Sequence, residues 1–306
     1  MPRISDLGFQ QIMLQNFQRI QGSAQERQIQ LASGKVATAY SGVGATTNRL
    51  LSAEGVLARA TAYQNAAKVA LTRLETQEAA MSSIGDVLAG LRQRFVAVLA
   101  TGSPELVMPE VETAAQRALS ALNTQVGGVF VFGGSDGTVR PVAAASLSDI
   151  GAAADPSDLF DANATRMSLA VEEGVRIDGG PVAQEIAASL MTLFHDFAGA
   201  EATLGPFSGT LTAAQRDFLV GVVDRIDAVA MGLNVELGIN GVAQSQADAA
   251  LTRNVQRRDF AERIASEIED IDIAEAVARL AQDQLALQAS ARALAQATQL
   301  SLLNYL

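Results

Sequence analysis

One histidine, one run of carboxylates and one glycine-rich turn are the residues whose types could support chemistry. His195 is the only histidine of the chain, which also contains no cysteine. One imidazole without thiolates cannot form a histidine-rich metal site, and no cysteine nucleophile exists. His195 lies within the apolar helical stretch Leu193–Phe197, so we interpret it as an ordinary residue of a helix surface or interface.

The carboxylate run could in principle hold a cation. Its members are Glu267, Glu269, Asp270, Asp272 and Glu275. Their spacing does not match a calcium loop, and the turn glycine of such a loop is missing. We therefore interpret the run as a solvated helix face. Some of its carboxylates would also pair with arginines of other chains.

The glycine-rich turn, Gly133–Gly137, follows a strand-like segment, the position in which a phosphate cradle is found. No Lys-Ser or Lys-Thr follows it, and no helix is expected to open after it. A hairpin turn is the better interpretation. No catalytic, cofactor-binding or metal-binding residue is therefore predicted, and we do not expect an enzyme.

Composition and charge exclude further classes of function. The 33 acidic and 22 basic residues give a net charge of −11, so nucleic acid and anionic membrane surfaces are not expected partners. No apolar run approaches the ~20 residues that cross a bilayer, and no membrane insertion is expected. Residues 1–10 lack the apolar core of a secretory signal, so the chain is expected to be cytoplasmic or exported by another route.

The elements that would position these residues are mainly helices. Hydrophobic residues make up 49% of the chain but aromatic residues only 5%, a composition that favours helices that pack closely. A 3.5-residue period over 47–100 predicts one long coiled-coil helix. Shorter helical patterns occupy 109–125 and the region after Pro181. A last long helix begins at Thr210 or Thr212 and extends to about 270, where Gly238, Asn240 and Gly241 could break or bend it.

Only the middle of the chain predicts strands. Residues 128–134 and 138–142 are expected to form a hairpin that turns at 135–137. Residues 143–163 are small and polar and predict a surface loop. Period-two alternation over 166–171 and 174–178 predicts a second hairpin.

The two chain ends carry matching apolar stripes. Each stripe is broader than one antiparallel neighbour can cover, so the ends either join a bundle within the chain or find partners on other molecules. A closed bundle within the chain is the usual outcome for such stripes. Aromatic anchors are scarce there, and we expect both ends to be loosely ordered in the monomer. The predicted assembly interface consists of Phe9, Met13, Phe17, Ile20, Ile273, Val277, Leu280, Leu287, Leu294 and Leu302. The N-terminal stripe consists of Phe9, Met13, Phe17, Ile20, Ala24 and Leu31. On the C-terminal helix, a heptad grid contains Ile273, Val277, Leu280, Gln284, Leu287, Ala291, Leu294, Thr298 and Tyr305. A second row on the C-terminal helix contains Ala274, Ala278, Ala281, Leu285, Ala295, Leu302 and Leu306.

Four segments together resemble the superfamily of flagellin and hook-associated protein 3. They are Gln28–Lys35, Val129–Gly134 with its Phe-Gly-Gly ending, Ile268–Ala276, and the terminus Ser301–Leu306. The resemblance implies a mainly α, flagellin-like hairpin of long coiled-coil helices formed by both chain ends, with a small β-hairpin-containing insert in the middle. Many relatives follow Ser-Gly-Lys with Asp-Asp-Pro, whereas this chain has Ala37–Gly44 there.

The resemblance also implies a division into three parts. Residues 1–40 and 271–306 would form a terminal coiled-coil inner domain, 41–127 and 181–270 a long-helix rod domain, and 128–180 a β-hairpin-rich central segment.

The ending Ser-Leu-Leu-Asn-Tyr-Leu and the segment Arg140–Pro141 after the Phe-Gly-Gly strand favour a junction between flagellar hook and filament. Partners implied by the resemblance are other copies of the chain in a ring or helical array, hook-associated protein 1, flagellin and an export chaperone. Location at the extracellular flagellum is implied, after export by the flagellar type III apparatus without a cleaved signal peptide. A flagellin filament subunit and a secreted helical binding or effector module are the alternatives, with a hydrolase further behind.

Overall fold

The structure is a computed structural model, which describes residues 3–161 and 164–303, with side-chain exposure given for residue 8 and for 11–161 and 164–296. It divides into two compact units. The first comprises Met1–Ala58 and Arg257–Leu306, and the second comprises Arg59–Gln256. The three-part division predicted from the sequence stays a prediction.

Helices dominate both units, and the mainly α fold class predicted from the sequence is confirmed. The helices are α1 (Arg3–Ser33), α2 (Thr47–Thr101), α3 (Val107–Leu122), α4 (Leu147–Ala152), α5 (Ala183–Leu204), α6 (Ala213–Glu269) and α7 (Ile273–Leu303). Four short strands lie between α3 and α5. They are β1 (Gln125–Val126), β2 (Val129–Phe130), β3 (Ser168–Glu172) and β4 (Val175–Asp178).

The ends of the long helices follow from local signals. After α2, the N–H of Gly102 donates to the carbonyl of Val98 at 2.7 Å with a φ of +75° at the glycine, a C-terminal geometry that glycine adopts without strain. At the start of α6, Thr212 Oγ1 accepts from the N–H of Gln215, whose side chain accepts from the N–H of Thr212. Of the two predicted starts, Thr210 and Thr212, this reciprocal cap selects Thr212. α6 then continues unbroken through Gly238, Asn240 and Gly241.

The first predicted hairpin is wrong. The strand β2 pairs with β1, which precedes it, and the two are joined by Gly127 and Gly128. Both glycines have positive φ, 59° and 81°, the requirement of a two-residue type I′ turn. Beyond β2, Val131 and Phe132 leave the strand and become buried in the core.

The second predicted hairpin is confirmed, because β3 pairs with β4 in antiparallel register with an irregularity between Ala170 and Glu172. The predicted surface loop over 143–163 is partly wrong. It contains α4 and a 3-10 turn at Pro156–Leu159, and it buries Leu147, Ile150 and Leu159. α4 is capped by Ser146 and Asp149, which bond to each other's backbone N–H groups.

The second unit has a large apolar core formed by α2, α3, α5 and α6. Its largest side chains include Phe95, Phe132, Phe194 and Phe197, all fully buried. The rings of Phe95 and Phe197 stack with centroids 5.2 Å apart, and Phe218 meets Phe197 edge-on at 5.1 Å. Such aromatic pairs add to the free energy gained from the area that they bury.

A polar layer crosses the same unit between α2 and α6. Gln77 is fully buried; its Nε2 donates to the carbonyl of Val131 at 2.6 Å, and its Oε1 accepts from Asn240 Nδ2 at 3.2 Å. Arg73 donates to the carbonyls of Val131 and Gly179. Because buried polar groups cost free energy unless they are hydrogen-bonded, this layer fixes the register of the two long helices.

Candidate assembly surface

The predicted interface lies on α1 and α7, which pair in the first unit and run in opposite directions. Ser23 Oγ donates to Asp283 Oδ2 at 2.9 Å, and nearer the other end of the pair the N–H of Ile271 donates to the carbonyl of Gly34 at 3.1 Å. Lys35 Nζ lies 3.0 Å from Glu269 Oε2. This hydrogen bond and the charge of Glu269 raise the pKa of Lys35 above its ordinary value.

The inner face of α7, which is turned toward α1, is a row with steps of three and four residues. Its members are Ala276, Leu280, Asp283, Leu287, Ser290 and Leu294, all buried or half-buried. The heptad grid predicted from the sequence shares Leu280, Leu287 and Leu294 with this face. The other positions of the grid, Val277, Gln284 and Ala291, are exposed. The inner face contains Asp283 and Ser290 instead, although these two residues are polar.

The inner face of α1 agrees with the predicted stripe. Met13, Phe17, Ile20 and Leu31 are half-buried, and Ala24 is buried. The side chains of Phe9 and Leu302, which are also in the predicted interface, lie outside the described residues. The structure therefore brings together Met13, Phe17, Ile20, Leu280, Leu287 and Leu294 in pairing within the chain.

This pairing buries little apolar surface. Among the described side chains of α1 and α7, only Ala24 and Ala276 are buried apolar residues. A separate apolar cluster in the same unit joins Leu50 and Ala53 of α2 to Ala265 of α6. Since apolar burial is the main driving force for ordering a helix in water, the described part of this pairing gains little from fully buried apolar side chains.

An outer row of apolar residues lies on the opposite side of α7. It consists of Ala274, Ala278, Ala281 and Leu285, all exposed. Since each residue advances the helix by about 100°, Leu285 lies about 180° around α7 from Ala276, which is at the centre of the inner face. Leu285 is 67% exposed, and beside this row the predicted interface residues Ile273 and Val277 are 65% and 51% exposed.

α1 also presents apolar side chains to solvent. Ile12, Leu14 and Ile29 are exposed, and none of them belongs to the predicted interface. A second apolar row on α1, like the row on α7 that contains Leu285, would have been the sequence signal for these residues. α1 and α7 thus have apolar residues both where they meet each other and where the chain leaves them uncovered.

The residues first considered for chemistry have structural surroundings. His195 is half-buried on α5, and its Nε2 lies 3.2 Å from the carbonyl oxygen of Ala153 after α4. Gly133–Gly137 has the Gly-x-Ser-x-Gly spacing of a hydrolase nucleophile turn, but the chain continues from it into turns instead of the helix that such a site requires. Within the described residues, no three His, Cys, Asp or Glu side chains group as metal ligands.

The described helices also include none that is both long and apolar enough to span a membrane.

Both ends of the chain match models of known protein families. The bacterial flagellin N-terminal helical region matches residues 4–136, and the bacterial flagellin C-terminal helical region matches residues 223–306. Together these matches cover more than two thirds of the chain. No protein with a curated description matches it in sequence.

Solved structures with a similar fold include two flagellar proteins. A putative flagellar hook-associated protein from Vibrio parahaemolyticus is 15% identical and has a TM-score of 0.57, covering 73% of this chain and 97% of its own. FlgL from Bacillus cereus is 11% identical with a TM-score of 0.56, covering 70% of this chain and 98% of its own. At these identities the likeness concerns the fold.

Proposed function

Because the chain belongs to the bacterial flagellin family, we propose that it is a structural subunit that joins the flagellar hook to the filament, assembled through its terminal helices. The observation that carries the proposal is the outer row of α7. An apolar helix face that the chain does not cover itself is typical of a surface completed by another molecule. A hook-associated protein and FlgL have similar folds. This similarity supports the choice of a junction protein within the family.

The proposed mechanism is mechanical coupling. Contacts between unlike surfaces of neighbouring copies close into a ring or continue as a helical array, depending on the rotation between subunits. Each terminal helix pair adds a modest interface, and the sum around the array resists torque. The subunit needs neither cofactor nor metal for this role.

The proposed partners are other copies of the chain, hook-associated protein 1 on the hook side and flagellin on the filament side. An export chaperone and the flagellar type III apparatus would deliver the chain to the extracellular flagellum without cleavage of a signal peptide. Within the chain, we propose the predicted three-part division as the functional one. In this division the terminal parts make the array.

We extend the proposed interface beyond the residues predicted from the sequence. Ile273 and Val277 belong to it because they are exposed, and Leu285, Ile12 and Ile29 join it for the same reason. Met13, Phe17, Ile20, Leu280, Leu287 and Leu294 act mainly by holding α1 and α7 together. Substitutions in the exposed set and in the set that pairs α1 with α7 should therefore have different effects.

Electron microscopy of a deletion strain tests the proposed function. Loss of a junction protein should leave hooks without filaments while flagellin leaks into the medium, and plasmid-borne wild-type chain should restore filaments. Purified protein that polymerises alone into long filaments would instead identify a filament subunit. Normal filaments on the deletion strain would overturn the structural role.

Leu285→Asp in the complemented strain tests the surface itself. The substitution places a charge in the outer row without removing a contact to α1, so we expect filaments to be lost while the purified monomer keeps its stability. Gln282→Asp is the matched control, because Gln282 is exposed on the same turn of α7 and lies outside the row. Equal numbers of filaments for both variants would contradict the proposed surface.

A further inference from the structure

Asn240 combines a chemically labile sequence with a buried position. It is the only asparagine of the chain that is followed by glycine. In such a pair the backbone nitrogen of the glycine can attack the side-chain carbonyl carbon of the asparagine, because the glycine has no side chain to hinder the approach. Asn240 is also fully buried, in the polar layer between α2 and α6. The asparagine that reacts most readily in an unfolded chain thus lies inside the folded second unit.

The reaction is a spontaneous deamidation. The nitrogen of Gly241 forms a bond to Cγ of Asn240, and Nδ2 takes up a proton and leaves as ammonia, which gives a cyclic succinimide. Water then opens the ring at either of its carbonyls. One opening gives aspartate, and the other gives isoaspartate, in which the main chain passes through the former side-chain carbonyl. Asparagine and water are consumed, and ammonia and either acid are formed, so the reaction needs no enzyme and no oxidant.

The fold keeps the two reacting groups apart. Gly241 lies within α6, where a backbone N–H is donated along the helix axis to a carbonyl of the preceding turn. The side-chain amide of Asn240 is held at both ends. Its Nδ2 donates to Gln77 Oε1 at 3.2 Å, and its Oδ1 accepts from Gln244 Nε2 at 2.7 Å. Ring closure must break these bonds, so the reaction requires the second unit to open first.

The polar layer does not accommodate aspartate at position 240. A carboxylate only accepts hydrogen bonds, so the oxygen that replaces Nδ2 would face the acceptor Oε1 of Gln77. Gln77 cannot reverse its amide without losing its bond to the carbonyl of Val131. The amide of Gln244 is already bound to the carboxylate of Glu78 at 2.8 Å. A second carboxylate on the same amide would be a buried charge beside a charge of the same sign, which costs free energy.

Isoaspartate would disrupt α6 itself. It adds one carbon to the main chain, which breaks the regular repeat of the helix and displaces the side chains that follow. Three buried alanines, Ala243, Ala247 and Ala250, follow Asn240 in steps of three and four residues and pack in one apolar cluster with residues of α2. Their displacement would remove this part of the contact between the two long helices.

We propose that Asn240 is a modification site of the unfolded chain, at which spontaneous deamidation competes with folding. Folding withdraws Asn240 from the reaction, and the reaction produces chains that cannot rebuild the polar layer. The site therefore limits how long the chain can remain unfolded and still form a native second unit. This inference concerns the second unit alone and does not depend on the proposed junction role.

Peptide mass spectrometry tests where and when the reaction occurs. Wild-type chain is incubated at one mildly alkaline pH, either native or in guanidinium chloride above its unfolding transition. Trypsin releases residues 226–253 as one peptide, in which the conversion of amide to acid is followed with time. We expect Asn240 to react at least about a hundredfold faster in denaturant, since opening must precede reaction in the native chain. Asn234, in the same peptide but followed by valine, should stay intact. Equal rates at Asn240 in both conditions would overturn the proposal.

Gly241→Ala is the matched variant, because it hinders the attack without disturbing the fold. Gly241 is exposed, and a Cβ built on it would meet no atom within 4 Å. Alanine also favours the helix. After the same incubation in denaturant, the wild type should lose refolding yield in proportion to its deamidated fraction, whereas Gly241→Ala should refold almost completely. Equal losses of refolding yield in the two chains would contradict the role of the Asn-Gly pair.

Asn240→Asp tests whether the polar layer rejects the product, with Asn234→Asp as the control at an exposed position of α6. In urea denaturation at neutral pH, we expect the ratio of folded to unfolded chain to be at least about tenfold lower for Asn240→Asp than for Asn234→Asp. Failure of Asn240→Asp alone to fold would support the same conclusion. Equal stability of the two variants would show that the layer accepts a carboxylate, and the proposed consequence of deamidation would be wrong.

Discussion

Gly180 lies directly against the side chain of Gln77 on the long helix α2. It has a φ of +89°, and a Cβ added to it would overlap the Oε1 atom of Gln77. Gln77 cannot move away freely because it is fully buried and bonded to Val131 and Asn240. The glycine is therefore needed both for backbone conformation and for space.

Gly180→Ala should lower the free energy of unfolding by about 2–4 kcal/mol, since it adds a steric overlap in a buried polar layer to the backbone strain. Gly174→Ala is the control, because Gly174 also has a positive φ, 73°, but open space around it. Its cost should be about 1–2 kcal/mol, from backbone strain alone. Urea denaturation measures both values, and equal losses would contradict the role of Gln77.

Asp149 predicts a local dependence on pH. Hydrogen bonds from the backbone of Ala145 and from Ser146 hold its pKa below the ordinary value. A depressed pKa in the folded state means that this carboxylate stabilises the cap of α4 above its unfolded pKa, and that the contribution is lost as the pH falls through the folded pKa. The protection factor of the Ser146 amide, which is its exchange rate corrected for the intrinsic slowing of exchange in acid, should therefore fall as the pH is lowered. Asp149→Asn should remove this acid-induced change, and an unchanged pH profile would contradict the cap.

At the scale of elements, α7 has two apolar faces, one turned toward α1 and one exposed, which the sequence pattern did not distinguish. Leu287 faces α1, whereas Leu285 faces away from it. Leu287→Asp should therefore loosen the pairing of α1 with α7 in the free monomer, and Leu285→Asp should not. Proteolysis at low trypsin concentration can measure this through cleavage at Arg19 and Arg27. Faster cleavage in both variants, or in neither, would contradict the assignment of the two faces.

The sequence predicted the long helices well, because 3.5-residue periodicity and caps such as Thr212 are local properties. On α7, alternate positions of the predicted grid lie one residue away from the inner face. The inner-face residues Asp283 and Ser290 are polar, so a search for apolar residues does not find them. The first hairpin was wrong because Gly127–Gly128 forms the tighter turn. α4 was missed because its burial depends on contacts with α5, which no local pattern shows.

The predicted interface shows the same limit. Periodicity indicated that the terminal helices have more apolar surface than one neighbour can cover. It did not distinguish Leu280 and Leu287, which meet α1, from Leu285 and Ile273, which remain exposed. That distinction depends on how α1 and α7 pair in space.

At the scale of the whole molecule, the two units differ in how much apolar surface they bury. The second unit contains a core with four fully buried phenylalanines, whereas the described parts of α1 and α7 bury two alanines. Free energy from apolar burial must offset the conformational entropy of ordering a chain. We therefore expect the second unit to be ordered alone, and α1 with α7 to need the surfaces of neighbouring copies.

Hydrogen exchange of the free monomer, read by mass spectrometry, tests this claim most directly. We expect amides of residues 11–31 and 276–296 to exchange within seconds to minutes, while amides of 84–98 and 186–197 stay protected for hours. In assembled flagella, residues 11–31 and 276–296 should become protected as well. Protection of these residues in the dilute monomer equal to that of the second unit would contradict the claim that assembly completes the terminal helices.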